Sequence, residues 1–176
     1  KYLYSIIVDA DRLDAYLFSI GESYIAEKVD WGELIRIFEK NIAEFKNDTL
    51  ISEIRKSVSE KCKKAAKKPI GIYQLSVPTG GGKTLSSLRF ALYHAQEHGM
   101  KRIIYVIPYL SIIDQTAGNI RDILNLSQEN DIVFEHHSNI VEPEDEKSSE
   151  IRKLSANRWD SPIIITTMVQ FLESVM

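Results

Sequence analysis

The stretch Leu75-Ser76-Val77-Pro78-Thr79-Gly80-Gly81-Gly82-Lys83-Thr84 decides the fold of this chain. It places three consecutive glycines before a lysine and a threonine. The apolar residues that precede it predict a buried strand, and they are Ile70, Ile72, Leu75 and Val77. The apolar residues that follow it have helical spacing, and they are Leu85, Leu88, Ala91 and Leu92. A strand, a glycine-rich loop, a Lys-Thr pair and a helix in this order predict a phosphate-binding loop.

The residue types of this loop suit the binding of a nucleoside triphosphate. A glycine backbone can curl around phosphate oxygens with no Cβ in the way. Lys83 would reach the β- and γ-phosphates, and the Thr84 hydroxyl would complete the shell of a Mg²⁺ ion. We therefore predict that ATP and Mg²⁺ bind here, with Lys83 and Thr84 as the catalytic residues. The predicted nucleotide-binding residues are Thr79, Gly80, Gly81, Gly82, Lys83 and Thr84.

One position of the loop departs from the usual pattern. Val77 stands at the first position of the motif, where glycine or alanine is common. The spelling from Pro78 to Thr84 resembles the loop of superfamily-two helicases, in which that first position is relaxed. The alternative interpretation is a glycine-rich turn that joins a strand to a helix and binds no ligand.

The composition describes an ordinary soluble globular protein. The 176 residues suffice for one domain or for pieces of two, and 44% apolar with 27% charged residues is typical of such domains. The net charge of −3 gives no sign of nucleic acid, so any such surface must be local. No uncharged apolar run of about 18 residues occurs, which predicts no membrane partner. Cys62 is the single cysteine, so no internal disulfide forms, and a cytoplasmic location fits.

The residues before Pro69 predict helices alone. A buried helix is predicted over residues 2–20, and a second helix begins at Asp30 with Glu33 as its capping partner. A third helix is predicted over residues 50–67, and its outer face is basic. That face is either a phosphate-contacting surface or a merely solvated one. Its basic residues and their neighbours are Arg55, Lys56, Lys61, Lys63, Lys64, Lys67 and Lys68.

After Pro69 the pattern changes to alternating strands and helices. Strands are predicted at 70–77, 102–107, 132–134 and 162–166, and helices at 83–98, 111–124, 147–157 and 168–176. Apolar, β-branched strands between helices predict an α/β fold with a parallel sheet that is covered on both faces. Ligands of such sheets bind at the carboxyl ends of the strands, which is where the phosphate loop lies.

Polar residues follow two of these predicted strands. Ser111 and Gln115 follow the second strand, and Thr167 and Gln170 follow the fourth. Each pair places a hydroxyl near the N-terminus of a helix and an amide about one turn later. Such groups suit contacts to a sugar-phosphate backbone, which position a nucleic-acid strand without reading its bases. The alternative for each pair alone is ordinary helix capping.

The histidines are weaker candidates. His94 and His98 are four residues apart near the end of a helix, but Ala95 follows His94 where a metalloprotease helix has glutamate. An exposed pair that the helix dipole favours is therefore predicted in place of a metal site. His136 and His137 follow the third strand, and the sequence does not decide between a nucleic-acid groove and the start of a loop.

Several segments taken together resemble one family. They are residues 77–88 (VPTGGGKTLSSL), 90–95 (FALYHA), 101–109 (KRIIYVIPY), 111–115 (SIIDQ), 136–138 (HHS) and 162–174 (PIIITTMVQFLES). This set resembles the CRISPR-associated helicase-nuclease of type I interference systems. The resemblance implies an HD-type metal nuclease domain followed by two RecA-like helicase lobes. It also implies single-stranded DNA and a CRISPR guide-RNA surveillance complex as partners.

The resemblance extends to the N-terminus through residues 8–14 (VDADRLD). It implies that Asp11 completes a divalent transition-metal site of the nuclease, with Asp9 as the reserve choice. Without it, the three acids of this helix, which include Asp14, would simply face water. The upstream histidines of the family, its His-Asp pair, the acidic Walker B box and the second lobe are absent. These departures imply an incomplete fragment that binds ATP weakly and hydrolyses essentially none.

We therefore expect three parts in the chain. Residues 1–22 would be the C-terminal part of an HD nuclease domain, 23–68 a helical linker, and 69–176 the N-terminal part of the first RecA-like lobe, truncated before Walker B. The predicted function is an ATP-dependent DNA helicase coupled to a single-stranded DNA nuclease in CRISPR antiviral defence. The alternatives are another superfamily-two motor (a restriction-type translocase or an RNA helicase) and a non-catalytic nucleotide-binding switch module.

Overall fold

The computed structural model describes residues 7–8, 10–11, 13–15, 17–18, 29–45, 49–128, 130–136 and 159–175. The chain divides into two compact units, Lys1–Lys28 with Val141–Asp160 and Val29–Ile140 with Ser161–Met176. In the first unit, the described residues between 7 and 18 are helical, as the periodicity predicts. The helix predicted at 147–157 and the loop that contains His137 lie outside the described residues.

The second unit is an α/β structure. Its helices are α1 (Trp31–Ala43), α2 (Leu50–Ala65), α3 (Lys83–His98), α4 (Leu110–Leu124) and α5 (Met168–Val175). Its strands are β1 (Ile103–Ile107), β2 (Val133–His136) and β3 (Ile163–Thr167). Among the described residues, none of the helices has the length and apolar content that crossing a membrane requires.

Capping interactions mark the ends of α1, α2 and α3, and α2 ends two residues before the predicted bound. The Asp30 side chain accepts a hydrogen bond from the Glu33 amide (3.0 Å) at the start of α1. The Thr49 side chain likewise accepts from the Ser52 amide at the start of α2. The Ser52 hydroxyl oxygen in turn accepts from the Thr49 amide. Gly99 ends α3 with φ of +61°, a conformation that glycine adopts without strain. These local bonds satisfy amide and carbonyl groups that a helix end otherwise leaves unpaired.

The three strands form one parallel sheet in the order β1-β3-β2. The register pairs Ile107 of β1 with Thr167 of β3, and His136 of β2 with Thr166 of β3. The carboxyl ends of all three strands therefore meet at one edge of the sheet. This arrangement confirms the predicted α/β class with a parallel sheet, as in a RecA-like lobe.

The core lies between the sheet and the helices α1, α3 and α4. The three isoleucines of β3 are fully buried, which is why this run is continuous and does not alternate with polar residues. Fully buried side chains also come from the helices, and they are Phe38, Leu88, Leu92, Ile113, Ile120 and Leu124. Burying one side chain of this size stabilises the fold by about 1.5–3 kcal/mol. The buried residues of β3, α3 and α4 belong to one hydrophobic core.

The strand predicted at 70–77 is wrong. This segment has no regular secondary structure and pairs with none of the described strands, and Ile70 and Ile72 are exposed. A strand needs hydrogen bonds to a neighbouring strand, and apolar composition alone does not supply a neighbour. In the described part of the sheet, β1 has β3 as its neighbour, and the segment 70–77 is not paired with either strand. The segment therefore reaches the phosphate loop as irregular chain.

Candidate nucleotide and nucleic-acid site

A tight turn forms the first half of the predicted phosphate loop. The Gly81 amide donates to the Pro78 carbonyl at 3.1 Å, and Gly80 has φ of +79° at the third position of the turn. A positive φ at this position is the mark of a type II turn, which glycine adopts most readily. Thr79, at the second position, is exposed. The sequence Pro-Thr-Gly-Gly therefore reverses the chain directly before the helix.

Gly81 brings the backbone close to Val77. A Cβ added at Gly81 would lie 2.3 Å from Cγ1 of Val77 and 3.0 Å from the Pro78 carbonyl oxygen, distances that no side chain can occupy. The loop thus accommodates valine at the position where glycine or alanine is usual, because Gly81 leaves room for it. The departure that the sequence showed at Val77 is explained by this contact.

The second half of the loop is the N-terminus of α3. Gly82 caps the helix with φ of +80° and makes no side-chain capping bond, and the first helical bond runs from the Ser86 amide to the Gly82 carbonyl (3.0 Å). The amides of the first helical turn have no carbonyl partners within the helix. Together with the helix dipole they form a site that attracts an anion such as a phosphate group.

The two predicted catalytic side chains lie at this N-terminus. Lys83 is exposed and its ammonium donates to the Val77 carbonyl at 3.1 Å, so the lysine bends back along the loop. Thr84 is half-buried, and its carbonyl accepts from the Ser87 hydroxyl at 2.9 Å. The bare glycine backbone and this cation fit a triphosphate, and the Thr84 hydroxyl is a suitable ligand for its Mg²⁺.

The helix α3, which begins at the loop, packs against β1 of the sheet. Ser87, one turn into α3, lies beside the buried hydroxyl of Tyr105 in the middle of β1. Burial raises the pKa of Tyr105 well above its ordinary value, and the nearby Ser87 hydroxyl offsets part of that rise. Tyr105 Oη is buried and makes no well-aligned hydrogen bond with the described residues.

The polar residues after β1 and β3 lie at the carboxyl edge of the sheet. The register pairs Ile107 with Thr167, so the starts of α4 and α5 are neighbours. Thr167 caps α5 by accepting from the Gln170 amide at 3.2 Å, and the Gln170 side chain donates to Glu173 at 3.0 Å. Ser111 is exposed in the first turn of α4, whose N-cap residue makes no side-chain bond.

The two pairs therefore differ in what they leave available. At α5 the Thr167 hydroxyl acts as an ordinary helix cap, because it already accepts a hydrogen bond from one amide of the helix. At α4 the capping alternative does not apply to Ser111, which lies inside the helix, one turn before the exposed Gln115. The amides that begin α4 and the side chains of Ser111 and Gln115 form the more open of the two surfaces.

A comparison with protein families matches residues 39–175, which are most of the chain, to the type III restriction enzyme res subunit. The chain belongs to this family. The match identifies a superfamily-two helicase-like domain, which implies use of ATP and Mg²⁺ and binding of nucleic acid. A comparison with curated proteins found no match.

The res-subunit domain contains an ion-pair network around a buried arginine, which sequence reasoning missed. Arg89 of α3 is 5% exposed and donates to both carboxylate oxygens of Glu39 in α1 (2.8 and 2.7 Å). It also donates to Ser59 (3.0 Å) and Glu60 (2.7 Å) of α2. One guanidinium thus joins α1, α2 and α3. The signal in the sequence is an arginine directly after Leu88, in the apolar stripe of α3.

The environment of Glu39 keeps it ionised. Burial alone raises the pKa of this carboxyl, but the hydrogen bonds from Arg89, Tyr93 and Lys63 outweigh burial and hold the pKa below its ordinary value. Lys63 donates to Glu39 at 3.1 Å, and its ammonium lies 4.8 Å from the centre of the Tyr93 ring. Lys63 of the predicted basic face is therefore half-buried and paired with Glu39.

A second basic residue of α2, Arg55, contacts the phosphate loop itself. Its Nε donates to the Gly80 carbonyl at 2.8 Å. Its aliphatic stem covers Gly82, where an added Cβ would lie 3.2 Å from Cγ of Arg55. Sequence reasoning grouped Arg55 with the solvated lysines, because helical periodicity does not show which basic residue a distant loop approaches.

The prediction of an exposed histidine pair is wrong for His94. His94 is buried, its Nδ1 lies 2.6 Å from the Ala66 carbonyl, and its ring stacks on Phe90. The His98 Nε2 lies 2.9 Å from the Lys68 carbonyl, and the two histidine rings meet edge to face. Helix periodicity could not show that the chain after α2 would cover this face of α3.

The remaining candidates are described only in part. His136 is half-buried at the end of β2, with its Nδ1 3.4 Å from the Thr166 hydroxyl, and its ring stacks on Phe134. Asp11 is exposed on the N-terminal helix. Asp9, the reserve metal ligand, lies outside the described residues. In the part of the chain that the structure describes, no group of three or more His, Cys, Asp or Glu side chains could hold a metal ion.

Proposed function

We propose that this chain is the ATP-binding lobe of a superfamily-two motor that moves along single-stranded DNA. The observation that carries the proposal is the phosphate loop: bare glycine backbone leads into the open N-terminus of α3, with Lys83 beside it. The proposed nucleotide-binding residues are Thr79, Gly80, Gly81, Gly82, Lys83 and Thr84. Their positions support binding of a triphosphate through backbone amides, with Lys83 as the cation and Thr84 as a Mg²⁺ ligand.

The proposed DNA path runs over the starts of α4 and α5. Ser111 and Gln115 would hydrogen-bond to phosphate and sugar oxygens, with Thr167 and Gln170 contributing from the neighbouring strand end. The register that joins these two ends supports the proposal, because one backbone could contact both. These groups are uncharged, so they would position a DNA strand without neutralising its phosphates. The net negative charge of the chain would add little long-range attraction for DNA.

The finer proposal is that the motor feeds an HD nuclease in CRISPR antiviral defence. It is supported by the motif set that resembles the type I helicase-nuclease and by Asp11, an exposed acid on the N-terminal helix. In the intact protein Asp11, or else Asp9, would be one ligand of a divalent transition metal. The described residues contain no complete metal site.

A restriction-type translocase is the second candidate, because the matched family is the type III restriction enzyme res subunit. The two candidates share the ATP site and differ in the role of the N-terminal helix. If the HD proposal is correct, Asp11→Ala in the intact protein should reduce metal-dependent cutting of single-stranded DNA by about 100-fold or more, since the metal site loses a ligand. Asp14→Ala is the matched control, because Asp14 is another exposed acid of that helix. Equal cutting by both variants would favour the restriction-type candidate.

The proposed function is tested by ATP hydrolysis in the intact protein with single-stranded DNA, with single-stranded RNA, and with neither. Stimulation by DNA alone would support the DNA motor. Stimulation by RNA alone would indicate an RNA helicase, and hydrolysis that no nucleic acid stimulates would contradict the motor and favour a switch module.

The DNA path gives a sharper prediction for the double variant Ser111→Ala with Gln115→Ala. We expect about tenfold weaker binding of single-stranded DNA, because two neutral hydrogen bonds of about 0.7 kcal/mol each are lost. The slope of affinity against salt concentration should stay the same, since neither residue neutralises a phosphate. Fluorescence anisotropy with a labelled oligonucleotide at several salt concentrations measures both quantities.

The matched control for this prediction is Asn119→Ala. Asn119 is an exposed polar residue of α4, two turns further along the helix and about 12 Å from Ser111. It should bind DNA as the wild type does. Unchanged binding by the double variant, or an equal loss in the control, would contradict the DNA path at the start of α4.

A further inference from the structure

One face of α2 is held firmly against α3. Arg55, Ser59 and Cys62 are spaced four and three residues apart, so they share a face of the helix. Ser59 and Cys62 are buried, and Arg89 of α3 donates to Ser59 and to the adjacent Glu60. Arg55 is therefore one helical turn away from a buried attachment point, which limits where its side chain can reach.

From this position Arg55 contacts the phosphate loop at two points. The Nε–H donates to the Gly80 carbonyl at 2.8 Å, and Cγ and Cβ lie over Gly82, 3.2 and 3.6 Å from the place of a Cβ. A single side chain thus spans the first and the last of the three glycines. The contact comes from a helix that precedes the loop by some 25 positions in sequence.

The hydrogen bond restrains a peptide that joins two glycines of the loop. The peptide between Gly80 and Gly81 is held on one side by Arg55 and on the other by the bond from the Gly81 amide to Pro78. Three consecutive glycines lose more conformational entropy on ordering than any other tripeptide would. A loop that is already held in one conformation binds its ligand without that ordering cost.

We propose that Arg55 is a positioning residue of the nucleotide site. It holds the glycine loop in the conformation that binds phosphate and thereby connects α2 to nucleotide binding. The inference rests on the proposed function, since it requires that the loop bind a nucleotide. Because Arg55 lies against a carbonyl oxygen and over Gly82, it acts through the loop backbone and is not proposed to carry chemistry.

The test compares Arg55→Ala and Arg55→Met with Lys56→Ala in the intact protein, using calorimetric titration with MgATP. We expect the Kd to rise about fivefold in both Arg55 variants, which corresponds to about 1 kcal/mol for the lost hydrogen bond. Methionine keeps the stem over Gly82, so a loss in this variant is due to the bond to Gly80. Lys56 is the next residue of α2 and is also exposed, so its variant removes the same charge without the contact.

Hydrogen exchange separates positioning from a general loss of structure. The amides of residues 79–84 should exchange faster in both Arg55 variants, while those of α2 and the unfolding temperature stay as in the wild type. Faster exchange across α2 as well would indicate a structural role and overturn the proposal, as would wild-type affinity in Arg55→Met or an equal loss in Lys56→Ala.

A Lys83→Ala variant in the same titration distinguishes this inference from the proposed function. If the wild type binds MgATP, Lys83→Ala does not, and the Arg55 variants bind normally, then only the role of Arg55 is wrong. If the wild type itself fails to bind MgATP, the proposed function is wrong, and the inference about Arg55 falls with it.

Discussion

Lys83→Ala in the intact protein should lower the turnover number for ATP by about 100-fold or more. Lys83 is the cation at the N-terminus of α3, and its exposed ammonium bonds only to the Val77 carbonyl among the described contacts. The side chain is therefore available to a triphosphate, whose negative charge it would stabilise as the terminal phosphate is transferred. A phosphate-release assay under saturating ATP and single-stranded DNA measures the effect.

The control for this prediction is Lys101→Ala. Lys101 is also exposed and lies just before β1, so its variant changes the net charge equally. It should hydrolyse ATP at the wild-type rate, and both variants should unfold at the wild-type temperature, since neither side chain is packed in the core. A turnover number for Lys83→Ala within threefold of the wild type would contradict the assignment of the phosphate loop.

Arg89→Met should lower the free energy of unfolding by about 3 kcal/mol. The substitution keeps most of the side-chain volume but, among the described residues, leaves Glu39 with Lys63 and Tyr93 as partners. A carboxylate that loses its buried guanidinium keeps the cost of desolvation without the compensating bonds. Urea unfolding followed by circular dichroism measures the loss.

Arg36→Met provides the matched control for Arg89→Met. Arg36 also pairs with a glutamate of α1, Glu33, but both side chains are largely exposed. Solvent screens such a pair, so the urea midpoint should not change measurably. If Arg89→Met were no more destabilising than Arg36→Met, the buried network would not be what holds the three helices together.

The network also predicts a dependence on pH. Because the folded-state pKa of Glu39 lies below its ordinary value of 4.5, ionised Glu39 stabilises the fold fully above about pH 4.5. That contribution is lost as the pH falls through the lower, folded-state pKa. The difference in unfolding free energy between the wild type and Arg89→Met should therefore shrink on acidification from pH 7 to pH 3.

Most elements of the second unit follow from local patterns. The 3.6-residue period of Leu85, Leu88 and Leu92 predicts α3 to the residue, and the isoleucine run at 163–165 predicts a buried parallel strand. The Gly-Lys-Thr sequence likewise predicts the position of the glycine loop. Tight turns, helix caps and amphipathic stripes depend on residues within a few positions of one another, so the sequence displays them directly.

Other features could not be predicted because they depend on residues far apart in the chain. The apolar segment 70–77 has the composition of a strand, but strand formation depends on a neighbour that local sequence does not specify. His94 has the spacing of an exposed residue, yet the Ala66 carbonyl 28 positions earlier covers it. Neither outcome can be predicted from the residues of a single helix or strand.

The sequence alone was therefore enough for the fold class, for most of the helices and strands but not for segment 70–77, and for the position of the glycine loop with Lys83 and Thr84. Only the tertiary structure decided that Arg89 joins α1, α2 and α3, and that Arg55 and not a neighbouring lysine contacts the loop. The physical reason is the range of the interactions. Backbone conformation and helical periodicity are determined within a few residues, whereas a buried guanidinium is satisfied only by carboxylates that packing brings together from 29 and 50 positions away.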